Sequence, residues 1–249
     1  MIRLCDVTVA YGQHVVLDHI NLEIRDGETM VVLGASGSGK STILRLIMGL
    51  QKPTSGKVFI NDADITAYDE KQLDRVRQHM GMVFQYSALF DSMTVGENVA
   101  FGPRQRTKWS EEKIRNIVAD RLRLVGLEGT EAMMPNDLSG GMKKRVSLAR
   151  AIAMDPQIIL YDEPTAGLDP LRCMDISRLI VQMQHHLHAT SVVVTHDMTS
   201  AFYIADRLAF LQDGRFRLVA DTETFKHTTD IDVQLFIHGG ELPSKGDDR

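Results

Sequence analysis

Gly34-Ala35-Ser36-Gly37-Ser38-Gly39-Lys40-Ser41-Thr42 has the spacing G-x-x-x-x-G-K-[ST] at every position. Ahead of it runs Thr29-Met30-Val31-Val32-Leu33, apolar and β-prone, and behind it Ile43, Leu44, Leu46 and Ile47 recur at helical spacing. The loop therefore joins a buried strand to a helix N-terminus, the context that gives this spacing meaning. Glycines let successive backbone N–H groups curl around an anion, because a Cβ would block the approach. The helix start adds unpaired N–H groups and a partial positive charge. Lys40 supplies a point charge for terminal phosphates, and the Ser41 hydroxyl is placed for Mg2+. A plain Gly/Ser-rich surface loop would lack the flanking strand and helix.

Toward the N-terminus, residues 15–24 and 2–10 read as strands, with turns at Tyr11-Gly12 and Asp26-Gly27. An antiparallel pair ahead of a parallel α/β core is expected. Tyr11 ends the first strand, where an aromatic either stacks on an adenine ring or packs the turn.

Toward the C-terminus, residues 57–60 form a short strand, 61–62 a turn and 71–79 a helix. Residues 80–84 read as a buried strand with Gln85 at its carboxyl end, where ligands gather in open α/β sheets. From Tyr86 to about Met154 helical signals replace strand signals. Tyr86, Leu89, Phe90 and Met93 form an apolar cluster that is either core or a partner-binding groove. Residues 110–124 read as a helix with Glu111 and Glu112 in its first turn and Gly126 at its end. Its apolar stripe is Ile114, Ile117 or Val118, Leu122 and Val125. A helical subdomain, about residues 86–154, is thus expected inside the α/β core.

Asp137-Leu138-Ser139-Gly140-Gly141 opens a helix over 142–153, a second possible anion site. Lys143, Lys144 and Arg145 lie in its first turn, where the dipole disfavours cations; a docked anion or plain exposure would offset that cost. Gln157-Ile158-Ile159-Leu160-Tyr161-Asp162-Glu163 is a buried strand ending in two carboxylates. Asp162 can hold Mg2+ directly or through water, and Glu163 can orient or deprotonate an attacking water. A turn over 164–170 leads into a helix to about His188. The next buried strand, 192–195, ends at His196-Asp197 and so puts a histidine at a third strand end. Residues 207–212 and 215–220 read as a hairpin around Asp213-Gly214, and the stretch from Leu242 is polar and expected to be mobile.

The 249 residues can bury a full core. The net charge of −5, with no block of like charge, points away from a nucleic-acid partner. Cys5 and Cys173 have no metal-ligand spacing and are too few for a disulfide framework, which favours a reduced, cytoplasmic compartment. The first residues lack a signal peptide's apolar region, and no apolar run approaches the roughly 18 residues needed to span a bilayer. Work at a membrane would need another chain to cross it.

In order and spacing these pieces resemble an ATP-binding cassette (ABC) ATPase subunit, from Tyr11 to about Ala220. Walker A is Gly34 to Thr42, the Q-loop residue is Gln85 and the signature is Leu138-Ser139-Gly140-Gly141. Walker B is Ile158 to Asp162, followed by Glu163; the D-loop is Leu168-Asp169, and the switch histidine is His196. The resemblance implies an α/β fold, a P-loop NTPase (RecA-like) core with an N-terminal antiparallel β-subdomain and an inserted α-helical subdomain. It implies one ABC ATPase domain over 1–240, with 241–249 as a tail. It implies ATP and Mg2+ as cofactors, with ATP held by Tyr11, the Walker A residues, Gln85, Ser139, Gly140, Gly141 and Asp169. Mg2+ would be held by Ser41, Gln85 and Asp162, and the chemistry would fall to Glu163 as general base, His196 and Lys40. A second copy would complete each site in a head-to-tail dimer at the inner face of the cytoplasmic membrane.

Many import cassettes carry Gln after the signature, whereas Met142 stands here. That residue, the stretch from Phe84 to Val99 and the ending Val233-Gln234-Leu235-Phe236-Ile237-His238-Gly239 look like the ATPases of Mla- or Mce-type phospholipid transporters. The likeness implies transmembrane permease subunits, an Mce-domain lipid-binding protein and a small regulatory subunit. The alternative is the ATPase subunit of another importer or exporter, such as one for amino acids. Soluble ABC proteins of DNA repair or translation commonly show two cassettes, long coiled coils or a basic face, none visible here.

Overall fold

The computed structural model describes residues 1–240, so the expectation of a mobile tail from Leu242 lies outside the described residues. In chain order the strands are β1 (Ile2–Tyr11), β2 (His14–Ile24), β3 (Thr29–Leu33), β4 (Ser55–Ile60), β5 (Ala63–Asp64), β6 (Met80–Val83), β7 (Ile158–Asp162), β8 (Thr190–Thr195), β9 (Arg207–Gln212) and β10 (Arg215–Asp221). The helices are α1 (Lys40–Ile47), α2 (Glu70–Arg77), α3 (Val95–Arg106), α4 (Glu111–Leu124), α5 (Gly140–Ala151), α6 (Pro170–Leu187), α7 (Met198–Ile204), α8 (Thr222–Lys226) and α9 (Ile231–Ile237).

The strands divide into two sheets. A four-stranded antiparallel sheet has the order β2-β1-β4-β5, and a six-stranded sheet has the order β10-β9-β3-β8-β7-β6. In the larger sheet β9, β3, β8, β7 and β6 run parallel, and β10 adds an antiparallel edge. The chain is an α/β fold with an antiparallel β-subdomain and a mixed main sheet.

Side chains of a strand alternate between faces. Met30 and Val32 of β3 accordingly join a core with α1 and the antiparallel sheet, while Val31 and Leu33 join a second core with α3 to α6. Both faces are covered, which is why β3, β7 and β8 read as unbroken apolar runs. From α1, Ile43, Leu44, Leu46 and Ile47 are at most 1% exposed. Each such burial is worth about 1.5–3 kcal/mol, enough to fix the helix and the loop before it.

The insertion between β6 and β7 is helical, and in α4 the stripe uses Ile114, Val118, Leu122 and Val125, leaving Ile117 half-buried. Helix starts fall on side-chain caps: Asp69 and Thr94 each complete a capping box, and Ser110, Ser139 and Asp169 accept from the third helical N–H. One expectation needs correction. β6 ends at Val83, and Phe84 is 41% exposed rather than part of a buried strand. Of the two readings left open for the apolar cluster after it, exposure argues against core: Tyr86 is 87% and Phe90 40% exposed, while Leu89 packs against the helical core from the rim.

Candidate active site

Three strand ends and one helix start converge at the carboxyl edge of the main sheet. The β3–α1 loop brings its glycines against β9: a Cβ on Gly34 would lie 2.4 Å from the Leu211 carbonyl oxygen and 2.7 Å from Ser38 Oγ. Gly39, the N-cap of α1, has φ of 103°, a left-handed conformation open to glycine. Lys40 is buried, and its Nζ donates to the carbonyls of Gly34 (2.8 Å) and Ala35 (3.0 Å), 3.8 Å from Glu163 Oε1. Burial lowers the pKa of this ammonium, and the Glu163 and Asp162 carboxylates oppose the shift.

Ser41 Oγ donates to Asp162 Oδ1 at 3.0 Å. Burial pushes the Asp162 carboxyl above its ordinary range, with the Ser41 hydrogen bond acting against it. A hydroxyl and a carboxylate are thus in contact, and Gln85 lines the same pocket. This all-oxygen donor set fits a small hard cation that keeps waters and substrate oxygens. Among the described residues no group of three or more His, Cys, Asp and Glu could hold a metal by itself.

Glu163 is buried and has φ of +45°, rare for a residue with a Cβ. Its Oε2 accepts from Thr195 Oγ1 at 3.1 Å, and its Oε1 lies 3.0 Å from His196 Nδ1. Across the two strands Asp162 pairs with Val194, and Glu163 links the end of β7 to Thr195 at the end of β8. The sequence reading passed over Thr195, although its place one residue before His196 at a strand end was a usable signal.

The pocket, about 320 Å³, is lined by Ser36, Gly37, Gly39, Lys40, Ser41, Thr42, Gln85, Asp162, Glu163 and His196, with Val16 from β2. A larger cleft of about 870 Å³ lies against the other side of the loop. It shares Val16, Ser36 and Gly37 and adds Ala35, Ser38, the β9–β10 turn and α9. Tyr11, 55% exposed, stands at the β1–β2 turn opposite His14 and lines neither cleft.

Ser139, Gly140, Gly141 and Asp169 are not brought to this pocket. Ser139 and Gly141 line a separate cleft of about 160 Å³ with Arg145 and Arg172. Asp169 caps α6 and pairs with Arg172 at 3.2 Å, while a Cβ on Gly140 would stand 3.8 Å from Leu168. Ser139, Gly140, Gly141 and Asp169 therefore belong to a second, separate surface.

Lys144 departs from both alternatives that the sequence left open. It is 5% exposed, and its Nζ donates to the backbone carbonyls of Gln85 and Glu163 rather than facing solvent or an anion. The carbonyl oxygens offset the cost of burying the charge.

The ABC transporter family profile matches residues 17–166. The intermembrane phospholipid transport system ATP-binding protein MlaF of Haemophilus influenzae is 38% identical over 239 residues, 96% of this chain and 90% of that protein. The methionine import ATP-binding protein MetN 2 of Rhodococcus jostii is 46% identical over 199 residues, 80% of this chain and 58% of that protein. Among solved structures, a dimeric post-hydrolysis state of an ATP-binding cassette bound to ADP and Pi has a TM-score of 0.82 at 36% identity, covering 89% of this chain and 99% of that one. The chain belongs to the ABC transporter family and is an ATP-binding subunit that hydrolyses ATP.

Proposed function

We propose that this ATPase powers an Mla- or Mce-type phospholipid transporter, working as a twofold dimer on the cytoplasmic face of a membrane. The observation that carries the lipid reading is a match in length: the chain and the phospholipid-transport relative align over 96% and 90% of their lengths. The methionine-import relative, though 46% identical, is spanned over only 58% of its length. Met142 after the signature and the Ala88-Leu89-Phe90 run support the same choice. No helix among the described residues is long and apolar enough to cross a membrane, and in this reading the permease is a partner chain. Exposed Phe84, Tyr86 and Phe90 beside Gln85 are the surface assigned to it.

In this reading one catalytic domain spans 1–240. The glycine loop and Lys40 bind the phosphates; Ser41 and Asp162 would hold Mg2+, and Gln85 would complete its surroundings. The cation supplies charge neutralisation to the terminal phosphates when bound. Glu163, held by Thr195 and near His196, takes the proton of the attacking water. His196 contacts the γ-phosphate, and Lys40 turns from the Gly34 and Ala35 carbonyls to the phosphates as charge develops. Ser139, Gly140, Gly141 and Asp169 of one copy close over the nucleotide of the other, Tyr11 stacking on the adenine. An Mce-domain protein and a small regulatory subunit complete the assembly.

Affinity purification of the full chain from native membranes in mild detergent, with mass spectrometry of co-purifying proteins and lipids, tests this. A permease with an Mce-domain protein and bound phospholipid is expected. An amino-acid permease in their place would keep the motor and overturn the cargo.

A further inference from the structure

The Gln85 turn is built at a cost. Ser87 and Ala88 both sit in the left-handed region, with φ of 62° and 45°, and neither is glycine. Such a turn persists only where its surroundings hold it. What holds it is one helix. Lys144 of α5 donates to the Gln85 carbonyl, and Arg150 of α5 donates to the Ala88 carbonyl at 2.6 Å and the Ser87 carbonyl at 2.7 Å. Three carbonyls of the turn thus converge on two cations of the helix whose N-cap is Ser139.

Lys144 makes one more bond, to the Glu163 carbonyl at 3.3 Å. Glu163 is itself left-handed, so the same ammonium ties the carbonyl that opens the strained Ser87-Ala88 turn to the carbonyl of a second strained residue. Its protonated form is costly to bury, with the Glu163 and Asp162 carboxylates in part repaying the desolvation. A side chain that only filled space here would be an apolar one of similar volume, and replacing a buried charge in that way is often neutral or stabilising. An apolar side chain could fill the space but could donate to neither the Gln85 nor the Glu163 carbonyl.

We infer that Lys144 is a positioning residue that fastens the Gln85 turn and the Glu163 peptide to the signature helix, so that closure on the second copy's nucleotide moves all three together. Lys144 touches no reacting atom and matters to turnover only through the roles proposed above for Gln85 and Glu163. Arg150 shares the task at the far side of the turn.

The test compares Lys144→Met and Lys144→Gln with the natural full chain. ATP affinity, ATP turnover, melting temperature and hydrogen exchange of residues 84–88 are measured for each. Lys144→Met, one atom shorter than lysine, keeps an unbranched apolar chain but loses every donor. Its turnover is expected to fall about 10- to 100-fold with ATP affinity within about twofold, the size of effect expected from misplacement of a reacting group. Exchange of 84–88 is expected to rise while the rest of the chain keeps its protection. Lys144→Gln, one atom shorter with two N–H donors, should fall between the two.

Natural turnover and exchange in Lys144→Met would overturn the inference, as would a lower melting temperature with turnover unchanged below it. Should Lys144→Met fail to fold, Lys144→Gln decides: a loss of at least about threefold with ATP affinity kept supports the brace, and natural turnover removes it. Repeating the exchange measurement in a Glu163→Gln background separates the two ideas. If Glu163→Gln alone leaves turnover near normal, the base assignment fails, while exchange at 84–88 still reports whether Lys144 holds the turn.

Discussion

At Glu163 the backbone is held where a residue with a Cβ is rarely found, a cost of about 1–3 kcal/mol that folding elsewhere must cover. The return is aim. The preceding residue, Asp162, faces the Ser41 hydroxyl, while Glu163 turns to Thr195 and His196, so two adjacent carboxylates take different tasks. Glu163→Gln keeps the shape and the Thr195 contact but cannot accept a proton. Its turnover is expected to fall roughly 10²- to 10⁴-fold while ATP binding is preserved, since general-base removal costs that much. Steady-state phosphate release alongside equilibrium ATP binding checks it. A variant with near-natural turnover would remove Glu163 from its role.

Among the elements, α3 shows how tertiary structure overrides local preference. Its sequence contains Gly96, Gly102 and Pro103, poor helix formers, and the sequence reading found only diffuse helical character there. What fixes it is Asn98, fully buried yet satisfied: its amide donates to the carbonyls of Phe90, Met93 and Thr94 and its oxygen accepts from the Phe90 N–H. Asn98 thereby moulds the loop that displays Phe90. Asn98→Ala strands those groups and should cost about 1–3 kcal/mol, read as a lower urea midpoint at constant slope. A midpoint within error of the natural one would show that water takes over these bonds. The elements legible in sequence were those with a local signature: β3, β7 and β8 as unbroken apolar runs, α4 as a stripe behind Ser110, and β9–β10 around Asp213-Gly214. The Walker residues, Gln85 and His196 were legible because each sits next to such a run. Lys144, Thr195 and Asn98 were not, because their partners are backbone carbonyls or a carboxylate brought close only by the fold. A lysine in a helix's first turn gives no sign of burial.

For the molecule as a whole, the two exposed surfaces set the terms. The loop-and-carboxylate pocket contains no signature residue, and the signature cleft contains no Walker residue. Each surface lacks what the other has, which is the condition for a twofold pairing in which copies complete one another. The antiparallel sheet packs on one core and the helical insertion on the other, and α5 joins the signature residues to the Gln85 turn. In the pairing proposed above ATP would touch both copies, so differential contacts would turn binding into closure, whereas a ligand with no contact to the second copy would shift nothing. This makes a complementation experiment decisive. Lys40→Met removes the phosphate cation from one kind of chain, and Gly140→Asp places a carboxylate in the signature of another; each alone should hydrolyse almost nothing. In a mixed dimer one site carries both lesions, and the other combines an intact Lys40 with an intact signature. Random pairing makes half the dimers mixed, so about a quarter of all sites are whole, and mixing two inactive proteins should restore measurable turnover. Activity of the mixture no greater than the sum of its parts would mean that each chain works within its own surface, and the twofold reading would fall with it.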